Sequence, residues 1–261
     1  GVSFSSAIPT GNTNIEFTGS YSSPASLEGC ACTVTSGNVV FNSSHTLTLL
    51  KKLTVAAAPT ATMTFENNSS LVQINNVTNT GNITYKRTTT PYERYDYIYW
   101  SRPVADGRAL STIFNGWRTD YSFTFNTQNF ADLVTAATGL APADSFDDNG
   151  DAWVYAGPSA TMTTGKGYAV MAPTSVTFSP QAPPRTVSFL GVPNNGVVPV
   201  RIYESANAAS TIDDFNFVGN PYPSAILADK FITDNGVKTS GTLYFWTHVA
   251  DVSVSNPGPS V

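Results

Sequence analysis

The chain has 261 residues, room for one large core or two ordinary ones, and only 12% of them are charged, with a net charge of -5. Thr, Ser, Asn and Gly take the surface share that Lys and Glu hold in most cytosolic proteins, and the cations are scattered from Lys51 to Lys238 without a basic stripe. The composition therefore points outside the cytosol and excludes nucleic acid as a partner; the longest apolar-looking stretch, 47–58, is broken by Lys51 and Lys52 and falls short of the ~20 residues that cross a bilayer, so no membrane-spanning segment is expected.

The chain opens at Gly1 with no basic and apolar leader, so an export signal is expected to have been removed or to lie upstream. Between Thr13 and Arg87, short alternating runs of Val, Ile, Leu, Phe and Thr recur at 39–41, 47–49, 53–55, 63–65, 71–74 and 83–85. The small polar turns between them, Gly37-Asn38, Asn42-Ser43-Ser44 and Asn67-Asn68, suit a β-solenoid in which each coil buries its inward side chains against the next. Asn side chains at such corners could join in ladders. An ordinary antiparallel sandwich is the alternative for this stretch.

At Thr88-Thr89-Thr90-Pro91 the character shifts toward aromatics and proline, and a module boundary is placed there. Strands follow at 95–100, 121–125, 152–155, 167–171, 186–189, 197–202, 215–218 and 242–247, with a Pro-rich break over 180–184. Two short connecting helices are predicted, 130–137 after Asn129 and 225–232 after Ser224, the latter ending near Asn235-Gly236. The expected fold class is all-β: a short β-solenoid-like N-terminal part over 1–90, then a β-sandwich over 91–261, expected to be truncated at its C-terminal end.

Three clusters invite a chemical reading. Cys30 and Cys32 flank Ala31 and, with Val34, share one face of an extended strand. Their Cα atoms would stand ~6.6 Å apart, near the upper limit for a disulfide. A disulfide formed with some bending, a free buried pair and, as the poorest fit, a metal site stay open. Asp144, Asp147, Asn149 and Asp151 place hard oxygen ligands at close spacing, which suits either a solvated acidic loop or a weak extracellular Ca2+ site; the glycine sits in the wrong place for an EF-hand.

The third cluster is Tyr95, Tyr97, Tyr99 and Trp100. On a strand the three tyrosines share one face and Ile98 and Trp100 the other, so core packing on both faces is the first expectation. Glycan stacking, with Arg94 and Asp96 supplying hydrogen bonds, is the second. Catalysis is not expected. The two histidines, His45 and His248, have no Gly-x-Ser-x-Gly elbow or ligand-spaced partner beside them, although a pair of carboxylates ~5 to 9 Å apart leaves no trace in sequence.

Three runs carry a family resemblance: Phe65-Glu66-Asn67-Asn68-Ser69-Ser70-Leu71-Val72-Gln73, Thr80-Gly81-Asn82-Ile83-Thr84-Tyr85-Lys86-Arg87, and Tyr95-Asp96-Tyr97-Ile98-Tyr99-Trp100-Ser101-Arg102-Pro103-Val104. Together with Gly165-Lys166-Gly167-Tyr168, Gly191-Val192-Pro193-Asn194-Asn195-Gly196, Val218-Gly219-Asn220-Pro221-Tyr222-Pro223-Ser224 and Tyr244-Phe245-Trp246-Thr247-His248, they resemble a region of very large secreted proteins of the Bacteroidota. In that family the region precedes a C-terminal sorting domain read by the type IX secretion system, and members include adhesins of the gliding-motility type. Arg102 departs from the usual Trp-Ser-Ser-Pro-Val pattern, which carries no catalytic residue.

The resemblance implies a non-enzymatic segment of a cell-surface or secreted adhesin at the outer face of the outer membrane. Its partners in export would be the type IX outer-membrane translocon and associated cargo-receiving proteins. A carbohydrate-binding accessory module of a secreted polysaccharide-degrading enzyme, touching surface glycans, is the alternative. The matching residues themselves read as structural: Gly191, Gly196, Gly219 and Gly236 suit turns with positive φ, and Asn220-Pro221-Tyr222-Pro223 forms a rigid corner with two candidate cis bonds.

Overall fold

The computed structural model describes residues 10–131, 147, 150–205 and 214–245. The first stretch winds as a three-sided solenoid. Coil one comprises β1 (Ile15–Phe17), β2 (Tyr21–Ser22) and β3 (Leu27–Gly29); coil two β4 (Cys32–Val34), β5 (Gly37–Phe41) and β6 (Thr46–Leu49); coil three β7 (Leu53–Val55), β8 (Ala61–Phe65) and β9 (Ser70–Gln73). Strands of successive coils pair in parallel, β1-β4-β7, β2-β5-β8 and β3-β6-β9, so that Ile15 lies beside Cys32 and Cys32 beside Leu53, while Leu27 lies beside Leu47 and Leu47 beside Leu71.

Period-two alternation explains why these residues choose this form. Val34, Val39, Phe41, Leu47, Leu49, Leu53 and Phe65 are fully buried, and they alternate with partly or fully exposed residues such as Thr33, Asn38, Thr46, Thr48, Thr54 and Thr64. Parallel register puts like on like. Phe41 and Phe65 stack with centroids 5.2 Å apart at 12°, and Tyr85 continues the column in β10 (Ile83–Thr88), beside Phe65.

The corners are held by mixed polar groups rather than by Asn ladders. Asn42 donates its side-chain amide to Ser22 Oγ and Ser23 O, Thr62 Oγ1 donates to Asn38 Oδ1, and Asn67 Oδ1 accepts the Thr88 amide. The buried Ser23 hydroxyl accepts the Asn42 amide and contacts His45 Nδ1 at 2.8 Å, which places His45 in a solenoid corner. His248 lies outside the described residues.

The lower end of the solenoid is sealed by residues that follow it. Asn79 is buried: its Oδ1 accepts the Leu53 amide at 2.8 Å, and its Nδ2 donates to Gln73 Oε1 and Pro193 O. The polar side chain thereby satisfies the first amide of β7, and the Thr80 backbone pairs with the rest of that edge, accepting the Val55 amide and donating to Leu53 O. Asn195 donates to Asn75 O and Val77 O from the same closing loop.

Beyond residue 90 come β11 (Tyr97–Trp100), α1 (Leu110–Ile113), β12 (Arg118–Phe125), β13 (Trp153–Tyr155), β14 (Tyr168–Met171), β15 (Thr186–Gly191) and α2 (Ala228–Asn235). β11-β14-β12-β13 form one antiparallel sheet. β15 instead returns to the solenoid and pairs antiparallel with the whole of β10, Ile83 beside Gly191 and Thr88 beside Thr186. A β-ladder therefore crosses the 90/91 boundary, and so does the core: Phe189 of β15 sits beside Tyr85 in the ladder and packs on Trp100 and Phe114, with Trp117 alongside. The all-β class holds, with a solenoid of parallel strands joined to an antiparallel sheet.

Several local expectations are corrected. Residues 197–202 and 215–218 are irregular apart from a Lys166–Val218 bridge, because Asn216 pairs with Tyr203 through its side chain, accepting the Tyr203 amide and donating to its carbonyl, where a strand would use backbone. The helix after Ser224 starts later, at Ala228, and α1 was not foreseen. The helix over 130–137 falls almost wholly outside the described residues; of the strand over 242–247, residues 242–245 are irregular and 246–247 lie outside them. Among the described residues the cis bonds are Ala58-Pro59 and Ser179-Pro180, not those of the 220–223 corner.

Of the four glycines expected at positive φ, only Gly196 has it; Gly191 and Gly219 are required for space, since a Cβ would meet Ala105 O at 2.6 Å and Ser101 Oγ at 2.4 Å. The rigid corner itself is present: Asn220 accepts the Tyr222 amide and donates to Ser224 O, while Pro223 O accepts the Leu71 amide at the free edge of β9. Arg102, the odd residue in its motif, donates to Thr164 Oγ1 and Asp106 O and so ties β11 to the turn before β14.

Candidate functional site

The antiparallel sheet has two unlike faces. Inward, Trp100 and Val170 join the core and Ile98 packs against it. Outward, aromatic residues occupy alternate positions on three strands: Tyr97 and Tyr99 of β11, Phe123 and Phe125 of β12, Trp153 and Tyr155 of β13. Register brings Phe123 beside Tyr155 and Phe125 beside Trp153. Ala169 of β14 lies opposite both Tyr99 and Phe123, and its short side chain leaves rings from the flanking strands free to meet above it.

They do meet. Tyr97 and Phe123 are 5.9 Å apart and Phe123 and Tyr155 6.2 Å, both edge to face; Tyr99 and Trp153 are 6.3 Å apart at 29°, and Trp153 meets Phe125 at 5.3 Å. Phe217 leans on Tyr99 and Trp153 from the irregular segment beyond residue 214. The face is half open to solvent, with Tyr99 38% and Tyr155 57% exposed.

Electrostatics at the rim come from one pair. Arg118 binds both oxygens of Asp120 and lies over the Tyr121 ring, so Asp120 is held below the usual carboxylate range chiefly by that hydrogen bond. Burial pushes the Tyr99 phenol up to about 12, and burial, with smaller contributions from Tyr121 and Asp120, raises Tyr97, so both stay protonated donors across the physiological range.

The predicted aromatic cluster is thus split. Tyr97 and Tyr99 lie on the open face, Trp100 is core, and Tyr95 lies off the strand: it is the left-handed residue (φ 74°) of a turn in which Asp96 Oδ2 accepts the Glu93 amide. Core packing on both faces is corrected for Tyr97 and Tyr99. Arg94 stacks on Phe178 instead of facing them. Phe123, Phe125, Trp153, Tyr155 and Phe217 were not singled out, although the alternation within 121–125 and 153–155 carried the signal for all but the last.

A family described as a domain of unknown function, DUF8693, matches residues 5–260. The chain belongs to this family. No curated protein and no solved structure matches it.

In this DUF8693 chain the other candidate clusters have structural partners. Cys30 and Cys32 are free thiols, which corrects the disulfide reading. The cause is a corner, not a straight strand: β3 ends at Gly29 and β4 starts at Cys32, so Cys30 lies half-buried at the bend while Cys32 points into the core, where burial pushes its thiol up to about 12. Asp144 and Asn149 lie outside the described residues. Asp147 spends its two oxygens on the Ala131 and Ala152 amides, and Asp151 gives its carbonyl to Asn129 Nδ2. Among the described residues no three His, Cys, Asp or Glu side chains gather as a metal site, and no helix is long and apolar enough to cross a membrane.

Proposed function

We propose that this chain is a non-enzymatic segment of a secreted cell-surface adhesin, exported by the type IX system, in which the solenoid acts as a stiff spacer and the aromatic face of the antiparallel sheet presents an adhesive surface to glycans. The half-open ring array of Tyr97, Tyr99, Phe123, Trp153 and Tyr155 carries the adhesive part. Flat rings with polar edges, held by strands rather than loops, offer stacking area to the apolar face of a sugar at little conformational cost. The β10–β15 ladder supports the spacer role, since bending between the two parts would break six paired positions and the Phe189 core contacts. The route and the outer-surface location rest on the sequence resemblance.

The test is a glycan array on the purified chain, with Trp153→Ala and Tyr99→Ala beside it and thermal melts to confirm folding. Binding that both substitutions abolish supports the reading; folded protein that binds no glycan overturns the adhesive part. The role of accessory module in a polysaccharide-degrading enzyme would use the same face. It is distinguished by what the native gene encodes upstream, a glycosidase domain in place of tandem β repeats.

A further inference from the structure

Beside the aromatic face lies a cleft of about 490 Å3 between the end of β12, the turn before β14 and the irregular segments on either side of residue 214. Phe125 and Phe217, members of the ring array, form part of its wall. The rest mixes Val154, Pro199, Val200 and Val218 with polar groups, and among the described residues Lys166 and Arg201 line it while no acidic side chain does.

The cleft is built, not a gap between mobile side chains. Gly165 (φ +81°) and Gly167 let the turn carrying Lys166 press against Val200 and Phe217: a Cβ at Gly165 would stand 2.4 Å from Val200 Cγ2, and one at Gly167 2.6 Å from the Phe217 ring. Lys166 is then fixed by its bridge to Val218, flanked by backbone hydrogen bonds from Gly167 to Phe217 and from Gly219 to Gly165. On the opposite wall the Arg201 guanidinium rests over the Tyr203 ring at 4.9 Å, and Tyr203 is clamped by Asn216, which also accepts from Thr127 Oγ1.

Among the described residues neither Lys166 nor Arg201 has a carboxylate partner, so both charges stand open to an anion. Asn126, Gln128 and Thr163 line the same cleft. Two open cations beside amide and hydroxyl groups suit a small anionic group with hydroxyls of its own.

We propose that this cleft is a subsite for an acidic sugar, a uronate or sulfated residue of a glycan whose neighbouring neutral residues stack on the aromatic face. The inference rests on the glycan reading above and names its ligand class. The anionic group sits between Lys166 and Arg201, the sugar ring lies against Phe125 and Phe217, and Asn126 with Gln128 serves the ring hydroxyls.

Titration calorimetry of the whole chain with three hexasaccharides tests it: an oligogalacturonate, a sulfated chondroitin fragment and a neutral cello-oligosaccharide. Tighter binding of an acidic probe is expected, weakening as salt rises and falling about tenfold for each cation removed in Lys166→Gln and Arg201→Gln, with neutral binding unchanged. The uronate and sulfate arms decide which anion fits. Neutral binding without preference for either acidic probe, or acidic binding that survives the double substitution, overturns the subsite while leaving the aromatic platform standing. No binding of any probe overturns both. Acidic peptide binding in place of glycan, checked with an oligoglutamate, also overturns it.

Discussion

Asp106 and Arg108 form a two-pronged ion pair, Nη2 to Oδ2 at 2.6 Å and Nε to Oδ1 at 2.9 Å, in which the carboxylate is fully buried. Asp106 also accepts the Leu190 amide and Arg108 donates to Ser188 O, so the pair fastens the loop before α1 to β15, the strand that joins sheet and solenoid. Burial alone would raise the Asp106 carboxyl; the hydrogen bonds from the Arg108 side chain and from the Leu190 and Arg108 amides outweigh it and hold it below the usual range.

A carboxyl lowered on folding stabilises fully above the unfolded pKa of about 3.9 and loses that contribution as pH falls through the lower folded value. Asp106→Asn leaves Arg108, a third of which is in solvent, without its charge partner and should cost about 1–3 kcal/mol at pH 7. Urea unfolding from pH 7 to pH 2 checks it: the gap between wild type and variant should close below about pH 4. A gap that stays constant with pH would show that the carboxylate's charge contributes nothing.

Asn79 caps the lower edge of β7 beside the Thr80 bridge, so its loss should loosen the solenoid from below. Asn79→Ala strands the buried Leu53 amide and should destabilise by about 1–3 kcal/mol. Hydrogen exchange gives the sharper readout: the Leu53 amide should lose protection more than amides of β4, one coil up. Equal protection at both would assign the seal to Asn195 and its bonds to the 75–77 loop.

The two thiols should behave differently. At neutral pH a maleimide should modify Cys30 in native protein and reach Cys32 only after unfolding, because Cys32 is 1% exposed and burial disfavours its thiolate. Intact-mass and peptide mapping read the order. A native protein inert to the reagent and lighter by two hydrogens would instead mean a bond between them.

Alternation made the solenoid legible, since the runs at 39–41, 47–49, 53–55 and 63–65 all lie within observed strands. The first coil was harder to see because its strands are two or three residues long, too short for a period to repeat. The antiparallel β10–β15 ladder had no sequence signal: its partners lie about a hundred residues apart, and each alone reads as an ordinary strand. Tyr97 and Tyr99 were legible as one face but not as an open one. That depends on Phe189, Phe114 and Trp117 filling the opposite side, and on a bulge in β12 between Arg118 and Ser122 that resets which residues face outward.

Gly167 tests whether platform and cleft are one device. Its missing Cβ is the space Phe217 occupies, and the backbone there cannot retreat, because the Gly167 amide bonds to Phe217 O at 3.0 Å and the Lys166–Val218 bridge follows directly. Gly167→Ala must therefore turn the Phe217 ring away from Tyr99 and Trp153, at a cost of about 1–3 kcal/mol. Near-ultraviolet circular dichroism from Trp153 should change while the far-ultraviolet β signal stays. Binding of neutral and acidic glycans should weaken together, unlike the charge substitutions, which act on acidic ligands alone. If only one class weakens, Phe217 serves one site and the two surfaces work independently.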